Sequence, residues 1–149
     1  MKISNQTKEI NIGDIIANIA VSCVYMIKNL SNSKIYVGYS VDAVHRVAGH
    51  YYSLRKGNHV IEEMQKDFNI GHEFEIKTLC LLDEVGTSRQ MKALETFFIL
   101  QYDSVEKGYN KTYNYPTKEK AYKITQMNAE YIIQCFRKNN ISFRLETIC

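Results

Sequence analysis

Several things are scarce in this sequence, and each scarcity removes a class of protein. There is a single proline, Pro116, and there is neither a low-complexity tract nor a repeat of solenoid length, so no repeat array and no extensive disorder is encoded. The four cysteines, Cys23, Cys80, Cys135 and Cys149, lie far apart with no C-x-x-C pair and no Cys/His spacing of the zinc kind. They read as reduced thiols of a cytosolic protein. Long hydrophobic runs are missing too. The stretch Ile15 to Ile27 is interrupted by Asn18 and follows Glu9 and Asp14, where a signal peptide would carry bases, and it is too short to span a bilayer. It predicts a short helix leading into the first strand and no membrane partner.

Excess charge of one sign is also small. A formal charge of +3 does not by itself identify a polyanionic partner. The bases nevertheless gather in two places, at Arg46, Arg55 and Lys56, and again at Lys118, Lys120, Lys123, Arg137, Lys138 and Arg144. A solvated helix face is the commoner meaning of such groupings.

What the chain does contain is enough apolar material for one domain. Its 149 residues are 45% hydrophobic and 23% charged, a soluble globular balance able to bury a core without disulfides. Cys23 to Lys28 and Lys34 to Tyr39 are rich in β-branched and aromatic residues, and Asn29 to Ser33 between them reads as a hairpin loop. Pairing Lys28 with Ser33 would set Tyr25 opposite Tyr36 on one face of the sheet. Asp42 begins a helix that Gly57 stops, and on it Asp42, Arg46 and His50 follow one another at four-residue steps, about 6 Å apart along one stripe.

A second helix is expected from Asn58 to Phe68, closed by Gly71, and a third strand within Glu73 to Val85. Thr87 to Gln90 has capping-box spacing and opens a helix that carries Glu95 and ends near Asp103. After Pro116, Thr117 caps a further helix, broken near Asn128, that runs to about Lys138, and Ser142 to Ile148 predict a short edge strand. The fold class is therefore α/β of the α+β kind: a small three-stranded antiparallel sheet flanked by helices. Residues 1–21 form an N-terminal extension, 22–115 the main domain and 116–149 a basic, helical C-terminal extension.

Taken singly, the chemically interesting residues have plain structural meanings. Two of eleven tyrosines on a hairpin are usually packing residues, Arg46 a surface charge and His50 a polar helix residue. Glu95 is more informative, because Leu94, Phe97 and Phe98 around it are apolar and a buried unpaired carboxylate is costly.

Order and spacing change the reading. Cys23-Val24-Tyr25 and Tyr36-Val37-Gly38, with ten residues between the tyrosines, are followed by Asp42, Arg46, His50, His59, Glu95 and Gly108-Tyr109-Asn110. In this series, which covers Ser22 to Tyr115, the chain resembles the GIY-YIG nucleases. Cys23 stands where the family usually has a glycine.

The resemblance implies a metal-dependent DNA endonuclease of phage or mobile-element type, working in the cytoplasm. Homing-type, restriction-like and structure-directed variants all remain open, as does a homodimer. About 33 residues beyond Pro116 are too few for both a long linker and a separate DNA-reading module, so long-site recognition is not expected. The rival reading is a catalytically silent module on the same fold that binds DNA or protein.

The resemblance also implies roles for individual residues. Tyr25, Tyr36, Arg46, His50 and Glu95 would be catalytic, and Gly38, His59 and Asn110 would assist binding. Glu95 would be the sole protein ligand of Mg²⁺, or of Mn²⁺ in its place. Arg46 would hold phosphate oxygens. Either Tyr25 or His50 would be the general base, because an ordinary tyrosine is a poor base at neutral pH. Asn110 would orient the Glu95 region, and His59 would be a phosphate contact or a helix N-terminal residue.

Overall fold

A computed structural model describes residues 1–82 and 86–142 of the chain. The central strand is β2 (Cys23–Asn29), with β3 (Ile35–Ser40) antiparallel on one side and β4 (Phe74–Leu81) antiparallel on the other. Almost every β2 side chain is buried. That is why its sequence is a continuous apolar run rather than an alternating one: both faces of the sheet are covered. Cys23, Tyr25 and Ile27 enter one core, with α1 (Ile12–Asn18), α2 (Ala43–Lys56) and α3 (Glu62–Asn69). Val24 and, from β3, Val37 enter the other, with α4 (Ser88–Tyr102) and α6 (Ala129–Lys138).

The sheet has four strands, not the expected three, in the order β1-β4-β2-β3. The added strand is β1 (Lys2–Ile3), paired with Phe74 and Glu75 of β4. Ile3 is buried, and α1 contributes Ile15 to the same core, so β1 and α1 each anchor one face in the domain. A two-residue strand leaves no alternation to read, which is why the sequence concealed it.

The hairpin register also departs from expectation. The closing pair is Lys28 with Ile35, so Tyr25 faces Gly38 and Tyr36 faces Ile27. The cause is Asn29. Its side-chain oxygen accepts the Ser31 amide at 2.8 Å, and Ser33 takes up a left-handed conformation (φ 65°), which widens the turn. A shift of two residues preserves the face, so Tyr25 and Tyr36 remain on the same side as diagonal neighbours. Their ring centroids lie 6.4 Å apart. The β2–β4 ladder, by contrast, slips at Val24/Tyr25.

Helix boundaries follow local chemistry. Asp42 caps α2 by accepting the His45 amide at 3.3 Å, and Gly57 ends the helix in the left-handed region. Thr87 and Gln90 form the full capping box of α4. α3 begins at Glu62 rather than Asn58, leaving His59 in the preceding loop. Asn128 separates α5 (Lys118–Met127) from α6, whose Ile132, Cys135 and Phe136 are buried against α4. The expected edge strand from Ser142 lies outside the described residues, apart from Ser142 itself. No described helix is long and apolar enough to cross a membrane.

Candidate active site

The site forms where helices from opposite faces of the sheet meet at the edge strand β3. Tyr25, Tyr36, Tyr39 and Ser40 from the hairpin, Val41 just after it, Arg46 of α2 and Ser88, Met91 and Glu95 of α4 line one cavity of about 450 Å³. A second cavity of about 500 Å³ runs along α2 past His45, Gly49, His50 and Ser53 to His59 and Val60. Ser40 and Arg46 belong to both. Arg46 thus stands at the junction, exposed, with its guanidinium available to an anion.

Behind the cavity lies a chain of hydrogen bonds. The Tyr25 hydroxyl is 3.0 Å from His50 Nε2, and His50 Nδ1 is 2.8 Å from His59 Nε2. Tyr36 packs its ring edge-on to His50, at 5.3 Å between centroids. His59 is only 5% exposed, and its Nδ1 accepts the Ile61 amide at 3.0 Å. Both of its nitrogens are taken, so it has no donor free for a phosphate and it is not on a helix; neither expected role describes it.

Glu95 is approached by a residue the sequence reading passed over. The Asn114 side-chain amide donates to Glu95 Oε1 at 2.6 Å, and also to Thr96 at 3.1 Å. Asn110, expected in that role, instead clamps β3. Its oxygen accepts the Val37 amide at 2.8 Å and its amide donates to the Val37 carbonyl at 2.9 Å. The signal available for Asn114 was its residue type, since asparagine tolerates the left-handed backbone it adopts (φ 68°). Gly38, expected in binding, has a packing role: the Tyr25 phenol lies where its Cβ would be.

Burial dominates the acid–base chemistry. It pushes the Tyr25 phenol far up, Tyr36 and Glu95 adding to the rise and Arg46 opposing it. Burial likewise raises Tyr36, with Glu95 adding and Arg46 opposing. Burial, the neighbouring His59 and Arg46 lower His50 to about 3. Glu95 rises from 4.5 to about 7 through burial, although Asn114, the Tyr39 amide, Lys92 and Arg46 pull it back. The site therefore combines a neutral phenol and a carboxyl group balanced near neutrality with a neutral imidazole hydrogen-bonded to the phenol.

Such a carboxyl group is one that a cation would ionise. No group of three or more His, Cys, Asp or Glu side chains able to hold a metal occurs among the described residues. Glu95 is instead a single carboxylate beside the hydroxyl-bearing Ser40, Tyr25, Tyr36 and Tyr39. A hard oxygen set of this kind fits Mg²⁺ or Mn²⁺, and Mg²⁺ commonly takes one or two carboxylates and keeps several waters.

The arrangement has counterparts. A family model for the GIY-YIG catalytic domain matches residues 21–110, more than half of the chain. The chain belongs to the GIY-YIG family. This GIY-YIG domain is 35% identical over 91 residues to intron-associated endonuclease 1 of Enterobacteria phage T4, a match over 60% of the chain but only 36% of the relative's length. It also superimposes on the catalytic domain of the homing endonuclease I-TevI, with TM-score 0.53 and 33% identity over 61% of this chain and 98% of that one. A mutant of the same catalytic domain gives TM-score 0.54 and 30% identity, covering 61% and 93%. The α/β fold, an antiparallel sheet flanked by helices, is thus shared with a solved GIY-YIG catalytic domain.

Proposed function

We propose that this GIY-YIG domain is a divalent-metal-dependent DNA endonuclease that hydrolyses phosphodiester bonds to leave 5′-phosphate and 3′-hydroxyl ends. The observation that carries the reading is the shared cavity: a fixed cation, Arg46, and a lone carboxylate, Glu95, line it together with the buried Tyr25 and the partly buried Tyr36. Phosphodiester cleavage needs a holder for the phosphate, an acceptor for the water proton and a site for positive charge at the departing oxygen. The names of its relatives, an intron-associated endonuclease and a homing endonuclease, support the same chemistry.

Arg46 grips the non-bridging oxygens of the scissile phosphate, where charge grows as the attacking oxygen bonds to phosphorus and the bond to the 3′ oxygen breaks. Tyr25 faces the attacking water. Once its own phenolic proton has passed to solvent in the cavity, the phenolate takes the proton of the water as the new oxygen–phosphorus bond forms, with His50 beside the phenol oxygen. Tyr36 closes the site over His50. Asn114 holds Glu95 in place. A Mg²⁺ or Mn²⁺ ion held by Glu95 would supply Lewis-acid stabilisation of the phosphate and the positive charge that makes Tyr25 easier to ionise.

Incubation with supercoiled plasmid tests the reading. With Mg²⁺ the protein should convert it to nicked or linear forms, and excess chelator should stop the reaction. A folded protein that leaves the plasmid supercoiled would overturn the assignment.

A further inference from the structure

The chain of hydrogen bonds behind Tyr25 can run in only one direction. A backbone amide is always a donor, so the Ile61 N–H, 3.0 Å from His59 Nδ1, requires a lone pair on that nitrogen. Neutral His59 then carries its proton on Nε2. That nitrogen lies 2.8 Å from His50 Nδ1, which must accept, so neutral His50 also carries its proton on Nε2. His50 Nε2 is the nitrogen 3.0 Å from the Tyr25 hydroxyl oxygen. The reverse order would need either a proton on His59 Nδ1 facing the Ile61 N–H, or an imidazolate.

The loop that fixes this direction is itself pinned. The His59 amide donates to Gln65 Oε1 at 3.0 Å, while Gln65 Nε2 donates to the Leu54 carbonyl at 3.0 Å and to Asn69 Oδ1 at 2.8 Å. Gln65 is buried, so it ties the loop to the end of α2 and to α3. Burial keeps both imidazoles neutral: the His59 pKa is lowered as well as that of His50.

We propose that the Ile61 amide, His59 and His50 form a one-way donor relay that presents an N–H to the Tyr25 oxygen, which makes His59 a positioning residue acting through His50. The proposal rests on Tyr25 facing the attacking water. Its consequence is specific. The His50 nitrogen nearest Tyr25 already bears a proton, so it cannot accept the phenol proton. It instead donates to the phenol oxygen and favours negative charge gathering there, while the Tyr25 O–H is turned away from the histidine, toward the cavity.

Two-bond ¹H–¹⁵N correlation spectra of the ¹⁵N-histidine-labelled full chain at neutral pH, without DNA, test the direction. Both His50 and His59 should appear as neutral imidazoles protonated on Nε2, with assignments taken from His50→Gln and His59→Gln. In His59→Leu the His50 proton should redistribute between its two nitrogens. The rate of plasmid cleavage at saturation should fall roughly 10- to 100-fold with little change in KM, as for loss of a hydrogen bond to a charged group. His59→Gln, whose amide can still donate to His50, should recover part of that rate.

A wild-type His50 with Nε2 unprotonated, or doubly protonated, overturns the relay, and so does a His50 spectrum unaltered in His59→Leu. If His59→Leu fails to fold, the wild-type spectrum alone decides. The spectrum needs no cleavage, so a protein that shows the relay but leaves plasmid intact refutes the nuclease reading and not this one.

Discussion

The Tyr25 phenol lies across its cross-strand partner Gly38, so close that a Cβ at position 38 would stand 2.6 Å from the hydroxyl oxygen and 2.7 Å from the ring carbon bearing it. The glycine in the second signature is therefore the floor on which the tyrosine of the first rests. Gly38→Ala should destabilise the domain by about 1–3 kcal/mol, the usual cost of overpacking. It should also slow cleavage, because the displaced hydroxyl loses its alignment with His50. The contrast is Gly49 of α2, whose Cβ would meet nothing within 4 Å. There alanine should stabilise by roughly 0.5–1 kcal/mol, as in any helix interior. Urea unfolding of the two variants checks both signs.

Glu95 links metal, pH and stability. Its pKa rises from 4.5 to about 7 on folding, so the folded chain holds the proton more tightly than the unfolded one. The wild type should therefore lose stability relative to Glu95→Gln as pH climbs through that interval, and the difference should level off above it. Mg²⁺ should raise the melting temperature of the wild type above that interval and not that of Glu95→Gln, in which cleavage should also vanish. Equal Mg²⁺ responses in the two proteins would remove Glu95 from the metal site. Asn114→Ala should weaken the Mg²⁺ response without erasing it.

His50 works in the opposite sense. Its pKa falls from 6.5 to about 3 on folding, so its neutral form is favoured in the native protein. The stability this represents is complete above the ordinary histidine pKa of about 6.5 and is lost progressively as the pH drops toward 3. His50→Gln should show a shallower acid-induced loss of stability than the wild type, read from melting temperatures across that range. A slope unchanged by the substitution would mean His50 is not held neutral.

Arg46 serves both cavities. Arg46→Ala should slow cleavage by roughly 10²–10³, the typical cost of one transition-state donor. Arg46→Lys should recover only part of this, because an ammonium cannot reproduce a two-pronged contact with a phosphate. Single-turnover rates on saturating plasmid distinguish the cases, and full recovery by lysine would show that charge alone suffices.

How far the sequence could be read depended on whether a feature was local. The cap and stop of α2 at Asp42 and Gly57, the capping box of α4 and the break at Asn128 are each written within one turn of chain, and all stand in the structure. Arg46 and Glu95 were marked by spacing and by an apolar setting, and they share a cavity. What stayed hidden was decided across the fold. The turn widened by Asn29 set the hairpin register. Nothing local ties Asn114 to a carboxylate nineteen positions earlier. The C-terminal bases read as a solvated helix face, and Ile132 and Phe136 among them lie in the core, so cutting the chain at Thr117 would strip the α4 face.

The hairpin tyrosine offers the test that separates a reactive group from a well-packed one. Tyr25→Phe removes one hydroxyl and its hydrogen bond to His50, which should cost about 1 kcal/mol of stability. The ring still fills the space over Gly38, so the fold should survive. Cleavage should nevertheless lose most of its rate, because the hydroxyl facing the water is gone. DNA affinity measured with Ca²⁺ in place of Mg²⁺ should barely change, since the hydroxyl acts on the reacting water and adds little to ground-state binding. If Tyr25→Phe cuts normally while His50→Ala does not, the proton leaves through the imidazole and Tyr25 is a packing residue. If both cut normally, the water is activated elsewhere, and Arg46 and Glu95 are left as the only chemistry the cavity contributes.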